Sequence, residues 1–270
     1  MLVVITGIQG YSQDIVNFSK YKNFNLYRQF WGVANSENIT ALLDSVITEF
    51  YSHLDNSKIR TSPVMVLNAI SKDPLQNYPE IIDLEGFTLI YLSTRDLRWA
   101  QYSYQFSHEL CHFIIGRRYD SNDRFGWLEE TLCKLASLYT LKKMSVTWQT
   151  NPPYLNWKDY ADELNNYAND IIFSSDNNIG MPLFRWLENN LQFLFYSRYL
   201  RTGNQIIAVQ LLPIFTRTPD LWKIIQVMKN IVIVDNMSLE QYLIEWKKLI
   251  PPVLYSGFDS MAELLTGRRL

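Results

Sequence analysis

Three histidines occur in the whole chain, and two of them sit in His108-Glu109-Leu110-Cys111-His112. On a helix, residues four apart lie one turn above each other on the same face. His108 and His112 can therefore hold one metal ion together. Glu109 projects about 100° around the helix from His108 and about 60° from His112. Its carboxylate then lies beside the metal and not on it, the place for a general base that takes a proton from a metal-acidified water. A catalytic zinc takes three protein ligands and one water. A third ligand is therefore required, and Glu130 in Trp127-Leu128-Glu129-Glu130, eighteen residues after His112, is the best candidate. Helical periodicity alone leaves Glu129 open beside it.

These side chains need two helices to carry them. The first is expected at about residues 96–115 and ends at Gly116. Phe106, Leu110, Phe113 and Ile114 fall opposite the histidines and anchor its back in a core, while Gln101, Tyr104 and Gln105 project with His108. Residues 117–126 form a polar loop with Asp, Ser and Asn turn chemistry. The second helix is expected at about residues 127–143. Leu128, Leu132, Leu135 and Tyr139 form its apolar stripe, with Glu130, Cys133, Lys134 and Ser137 on the other side. Glu129 falls in its first turn, where the helix dipole favours a carboxylate. Arg117, Arg118 and Arg124 are its candidate partners.

Upstream, strands are expected at residues 2–5, 24–31, 63–70 and 86–93. A helix is expected at residues 38–54, with Ile39, Leu42, Leu43, Val46, Ile47 and Phe50 on one face. Residues 6–12 lack the Gly-Lys-Ser/Thr ending of a phosphate loop and read as a turn. The segment 86–93 directly precedes the motif helix, and an exposed strand edge there would pair with an extended peptide. Downstream of residue 150 the sequence reads as successive helices, at about 157–173, 182–200, 205–215, 220–230, 239–250 and 259–265. The expected class is α+β: a catalytic core over residues 1–150 with a small mixed sheet, then an all-helical lobe over residues 151–270.

The chain of 270 residues carries a formal charge of −2. It has no basic footprint, which argues against nucleic acid as a partner. No apolar run reaches the length of a membrane span, and the start carries no charged leader, so a cytoplasmic setting without a membrane partner is expected. Cys111 and Cys133 do not make a disulfide framework; they read as two small buried hydrophobes on the two ligand helices.

At His108-Glu-Leu-Cys-His112 the chain resembles the zincin metallopeptidases, and among them the gluzincins, whose third ligand is a glutamate on the next helix. Trp127-Leu-Glu-Glu130 resembles the Trp-Leu-x-Glu of thermolysin-like aminopeptidases, in which the last glutamate binds zinc. Glu130-Thr-Leu-Cys133 is similar to the Glu-x-x-Ala of small cytoplasmic bacterial metallopeptidases that cleave phage repressors. Both resemblances select Glu130 over Glu129. A metzincin is excluded, because its third histidine would fall at Arg118. The resemblance spans roughly residues 86–143. It departs from the pattern in two places: there is no Gly-x-Met-Glu-Asn exopeptidase motif, and Lys134 stands where thermolysin-like enzymes have an aspartate four residues after the ligand glutamate.

The resemblance implies a zincin-like fold and Zn2+ held by His108, His112 and Glu130. Glu109 would be the catalytic base, and the substrate a peptide or protein extended along residues 86–93. The expected function is that of a narrowly specific zinc-dependent metallopeptidase. Two alternatives share the same residues: a regulatory zinc-binding protein whose helical half carries a partner surface, and a hydrolase of non-peptide amides. No tyrosine is distinguished as an oxyanion stabiliser among Tyr154, Tyr160, Tyr167, Tyr196 and Tyr199.

Overall fold

A computed structural model describes residues 14–72, 75, 78–116 and 124–270. The strand and turn expected at residues 2–5 and 6–12 lie outside the described residues, as does most of the 117–126 loop.

The architecture is α+β: a five-stranded mixed sheet and a mostly helical remainder. The strands are β1 (Ile15–Phe18), β2 (Phe24–Tyr27), β3 (Val64–Asn68), β4 (Glu80–Leu84) and β5 (Phe87–Leu92), in the spatial order β1-β2-β3-β5-β4. β2, β3 and β5 run parallel, while β1 and β4 are antiparallel to their neighbours. A parallel pair needs a crossover, and between β2 and β3 it is supplied by α1 (Ser36–Tyr51). α1 buries the face foreseen from its spacing, and the Asn35 side chain caps it by accepting from Asn38 N–H.

β4 and β5 form a hairpin through Glu85 and Gly86, whose φ of 87° is a conformation only glycine adopts freely. The hairpin places β4 outside β5. The segment expected to offer a free edge is therefore the wrong one: β5 is hydrogen-bonded to β3 on one side and β4 on the other. β4, which the sequence did not suggest, is an edge strand, as β1 is at the other side of the sheet, and its outer edge is unpaired among the described residues. Its adjacent Ile81 and Ile82, flanked by acids, lack the alternation that marks a half-buried strand.

The two motif helices are α2 (Trp99–Ile115) and α3 (Gly126–Thr147). The back of α2 is buried as expected, with Phe106 and Phe113 meeting Phe24 of β2 edge-on at 6.3 and 5.9 Å. α3 is covered nearly all round, since α2 packs on one side and α4 (Tyr160–Ile172) and α6 (Arg201–Arg217) pack on others. The rest comprises α5 (Leu183–Tyr196), a 3₁₀ run (Pro219–Asn230), α7 (Leu239–Lys248) and α8 (Tyr255–Thr266). One hydrophobic cluster runs from Phe18 to Leu265. Trp222 of the 3₁₀ run sits within it against Phe50, Tyr139 and Phe215, with centroid distances of 4.9, 5.4 and 4.6 Å.

Candidate metal centre

Both ends of the ligand assembly are fixed locally. α2 terminates at Gly116, in the left-handed conformation (φ 63°), whose N–H donates to the His112 carbonyl. Arg60 Nη1 donates to the Phe113 carbonyl at 3.0 Å, covering another carbonyl left open at the helix end. The same guanidinium makes two 3.0 Å hydrogen bonds to Asp83 of β4, so one side chain joins the edge strand to the ligand helix. Gln105 ties α2 to the end of β5, accepting from Ser93 N–H and donating to Ser93 Oγ, both at 2.9 Å. Ser137 Oγ of α3 donates to the Tyr104 carbonyl of α2 at 2.8 Å. Cys111 and Cys133 are both fully buried free cysteines on the two ligand helices, in keeping with their reading as small core residues.

Within this frame, His108, His112 and Glu130 converge. One donor atom from each lies within 4.8 Å of the others, close enough to hold a single metal ion. His108 Nε2 is 3.4 Å from Glu130 Oε2, and His112 Nε2 is 3.5 Å from Glu130 Oε1. Charge-assisted N–H···O bonds are shorter, about 2.7–2.9 Å. The triad therefore has the spacing of donors arranged around a common centre. Two imidazoles and a carboxylate suit several divalent first-row ions.

Glu129 serves a different purpose from the one expected. Its Oε1 accepts a 2.7 Å hydrogen bond from His112 Nδ1. A carboxylate on the far nitrogen fixes the tautomer and ring orientation of a ligating histidine and raises its basicity. The expected arginine partners do not fill this position: Arg124 lies over the Phe195 ring at 4.3 Å, and Arg117 and Arg118 are outside the described residues. The cation near Glu129 is Arg198, from the link between α5 and α6. Arg198 Nη2 lies 3.3 Å from Glu130 Oε1 and 3.9 Å from Glu129 Oε2. Nothing in the sequence marks Arg198, because no spacing rule connects a loop residue to a ligand 68 positions earlier. Glu129, by contrast, carried a usable signal: the acid beside the ligand was already in view, and metal-bound histidines need such a partner.

Electrostatics separate Glu109 from Glu130. Glu109 is 3% exposed, and burial pushes its carboxyl pKa up, against the opposing pull of His108 and His112. Burial acts in the same direction on Glu130, but the two imidazoles outweigh it and hold that carboxyl far below the ordinary range. Burial alone would lower His112; its contacts with Glu129 and Glu130 instead hold it well above the usual histidine value.

The triad and Glu109 open into one cleft of about 1860 Å³. β4 and the residues flanking it, 78 to 86, line the same cleft. Gln101, Tyr104 and Gln105 line it as expected, as do Tyr167 and Tyr199 of the five tyrosines; Tyr154, Tyr160 and Tyr196 do not. No protein family, curated protein or solved structure matches the chain.

Proposed function

We propose that the chain is a zinc-dependent metallopeptidase of zincin-like type, with His108, His112 and Glu130 as ligands and Glu109 as the general base. One observation carries the reading: a three-donor metal group, a buried carboxylate between two of its ligands and a strand edge unpaired among the described residues share a single cleft. Two imidazoles and a carboxylate form a donor set that a catalytic zinc takes. Among the described residues the group has three members and no fourth, the number that leaves a position for water or substrate.

Bound zinc would supply Lewis acidity, acidifying a water and polarising a carbonyl. The chain's own groups do the rest. An extended peptide pairs with the outer edge of β4 through main-chain hydrogen bonds, which presents its scissile carbonyl to the triad. Glu109 takes the proton from the attacking water. Its raised pKa improves it as a base near neutral pH, and it then delivers the proton to the leaving nitrogen. Glu129 holds the His112 ring throughout.

The test pairs elemental analysis with peptide-library cleavage read by mass spectrometry. Glu109→Gln is expected to retain one zinc per chain and lose hydrolysis by about 10²–10⁴-fold. Cleavage at the wild-type rate by that variant would overturn the assignment of the base. Absence of zinc from the wild-type chain would overturn the whole reading.

A further inference from the structure

A cation reaches the metal centre from outside the two ligand helices. Arg198 sits in the link between α5 and α6, where Leu200 N–H closes a turn onto the Ser197 carbonyl at 3.2 Å. Its path is fixed at three points. Three residues earlier, the Phe195 ring packs edge-on against Phe125, just before α3, with centroids 5.5 Å apart. Asn204 of α6, itself buried, donates from Nδ2 to the Arg198 carbonyl at 2.7 Å. The side chain then crosses the start of α3 at buried Gly126, where a β-carbon would lie 3.3 Å from Cβ, Nε and Cζ of Arg198. An alanine there would suit the helix better; the glycine leaves room for the arginine.

That path ends on a ligand. Arg198 Nη2 donates to Glu130 Oε1 at 3.3 Å, and its side chain is 13% exposed. Taking a guanidinium this far out of water is costly unless it meets a charge. The charge it meets is a carboxylate that must also bind the metal. The two oxygens of Glu130 are not equivalent. Oε1 faces Arg198 and lies 3.5 Å from His112 Nε2, while Oε2 lies 3.4 Å from His108 Nε2. A carboxylate can bind a metal through one oxygen or through both. Binding through both would use a coordination position that a catalytic site keeps for water.

We propose that Arg198 is a positioning residue of the metal centre: it engages Oε1 of Glu130, so that the carboxylate ligates through Oε2 alone and one position stays open for water. This deepens the metallopeptidase reading above and rests on it.

The probe is Co2+ in place of zinc, because its visible absorption is strong in four-coordinate sites and weakens as ligands are added. Spectra are recorded on the full-length, cobalt-loaded chain, with circular dichroism to confirm folding. The wild type is expected to give the strong four-coordinate spectrum. Arg198→Ala is expected to bind Co2+ with a loss of that intensity, and added guanidinium ion, at a concentration that leaves the fold intact, to restore it where ammonium does not. On a peptide that the wild type cleaves, kcat of Arg198→Ala should fall by about 10–100-fold, the usual cost of losing an outer partner of a metal ligand. Gly126→Ala keeps the arginine but crowds it, so its cobalt spectrum should weaken in the same direction; it carries the test alone if Arg198→Ala does not fold. A wild-type spectrum in the folded variant, or a weakened one that guanidinium does not restore in preference to ammonium, would overturn the positioning role and leave the metal centre standing. Failure of the wild-type chain to bind Co2+ would overturn the metal site and the metallopeptidase reading with it.

Discussion

Removal of Glu129 should weaken metal binding without removing a ligand. Its Oε1 accepts from His112 Nδ1 at 2.7 Å in a buried setting, with Glu129 itself 5% exposed. A hydrogen bond to a charged group contributes about 1.5–3 kcal/mol. At 1.36 kcal/mol per decade that range corresponds to roughly 10–150-fold in affinity. It overlaps the roughly 10–100-fold found when outer partners of metal-bound histidines are lost. Glu129→Ala should therefore raise the Kd for zinc by about 10–150-fold. Glu129→Gln, which keeps a neutral acceptor for Nδ1–H, should raise it less, by about tenfold at most. Glu130→Ala removes a ligand and should cost more than either. The assay is competition with a chromophoric chelator at constant pH, with circular dichroism to confirm folding. A folded Glu129→Ala chain with wild-type zinc affinity would refute the orienting role. Loss of zinc in Glu129→Ala with retention in Glu130→Ala would mean that the two glutamates exchange roles.

Three further outcomes follow from the geometry. Arg60→Ala deletes the hydrogen bonds to Asp83 and the Phe113 carbonyl, so hydrogen exchange along β4 should accelerate and stability fall by about 1–3 kcal/mol; unchanged exchange at Ile81 to Leu84 would contradict the clamp. Trp222→Ala should cost about 3–5 kcal/mol in denaturant unfolding, and the residual transition should remain single, because the indole joins residues from both halves of the chain; two separate transitions would refute that. His53 lies against the Tyr139 ring, and its pKa is lowered by burial first and by Lys143 next. The unfolded chain then takes up this proton at higher pH than the folded one, so stability falls as pH drops through the ordinary histidine value of 6.5. His53→Gln should lose less stability than the wild type on acidification across that range, measured by urea midpoints; parallel losses would refute the assignment.

What the sequence disclosed depends on the range of the interactions involved. His108, Glu109 and His112 were legible because their relation is internal to one helix and follows from its pitch. α2 ends at Ile115 with the Gly116 cap that the composition announces. Glu130 needed a resemblance to separate it from Glu129, because adjacent residues on a helix differ by only about 100°, and that alone does not say which one faces a partner helix. The partner of Glu129 was misjudged for the same reason: local arginines were in view, whereas His112 comes near only once α2 and α3 pack. β4 escaped because Glu-Ile-Ile-Asp-Leu lacks alternation, and its hairpin places it at the edge where one side stays wet. Residues 220–230 read as a helix by spacing but wind as 3₁₀ from Pro219 to Asn230. Arg198 reaches the cleft through tertiary packing alone.

The edge of β4, unpaired among the described residues, has a consequence for how the folded chain behaves at high concentration. An unpaired strand edge is a template for any extended chain, including the same edge of another copy. β4 is five residues long and carries Glu80 and Asp83, which it holds in ion pairs with Lys72 and Arg60, and Glu85 follows at the turn. A second copy laid along it would bring like charges together, an obstacle that a short peptide of suitable charge does not meet. The charges that frame the cleft thus also act against edge-to-edge aggregation, and neutralising them should make the protein less soluble.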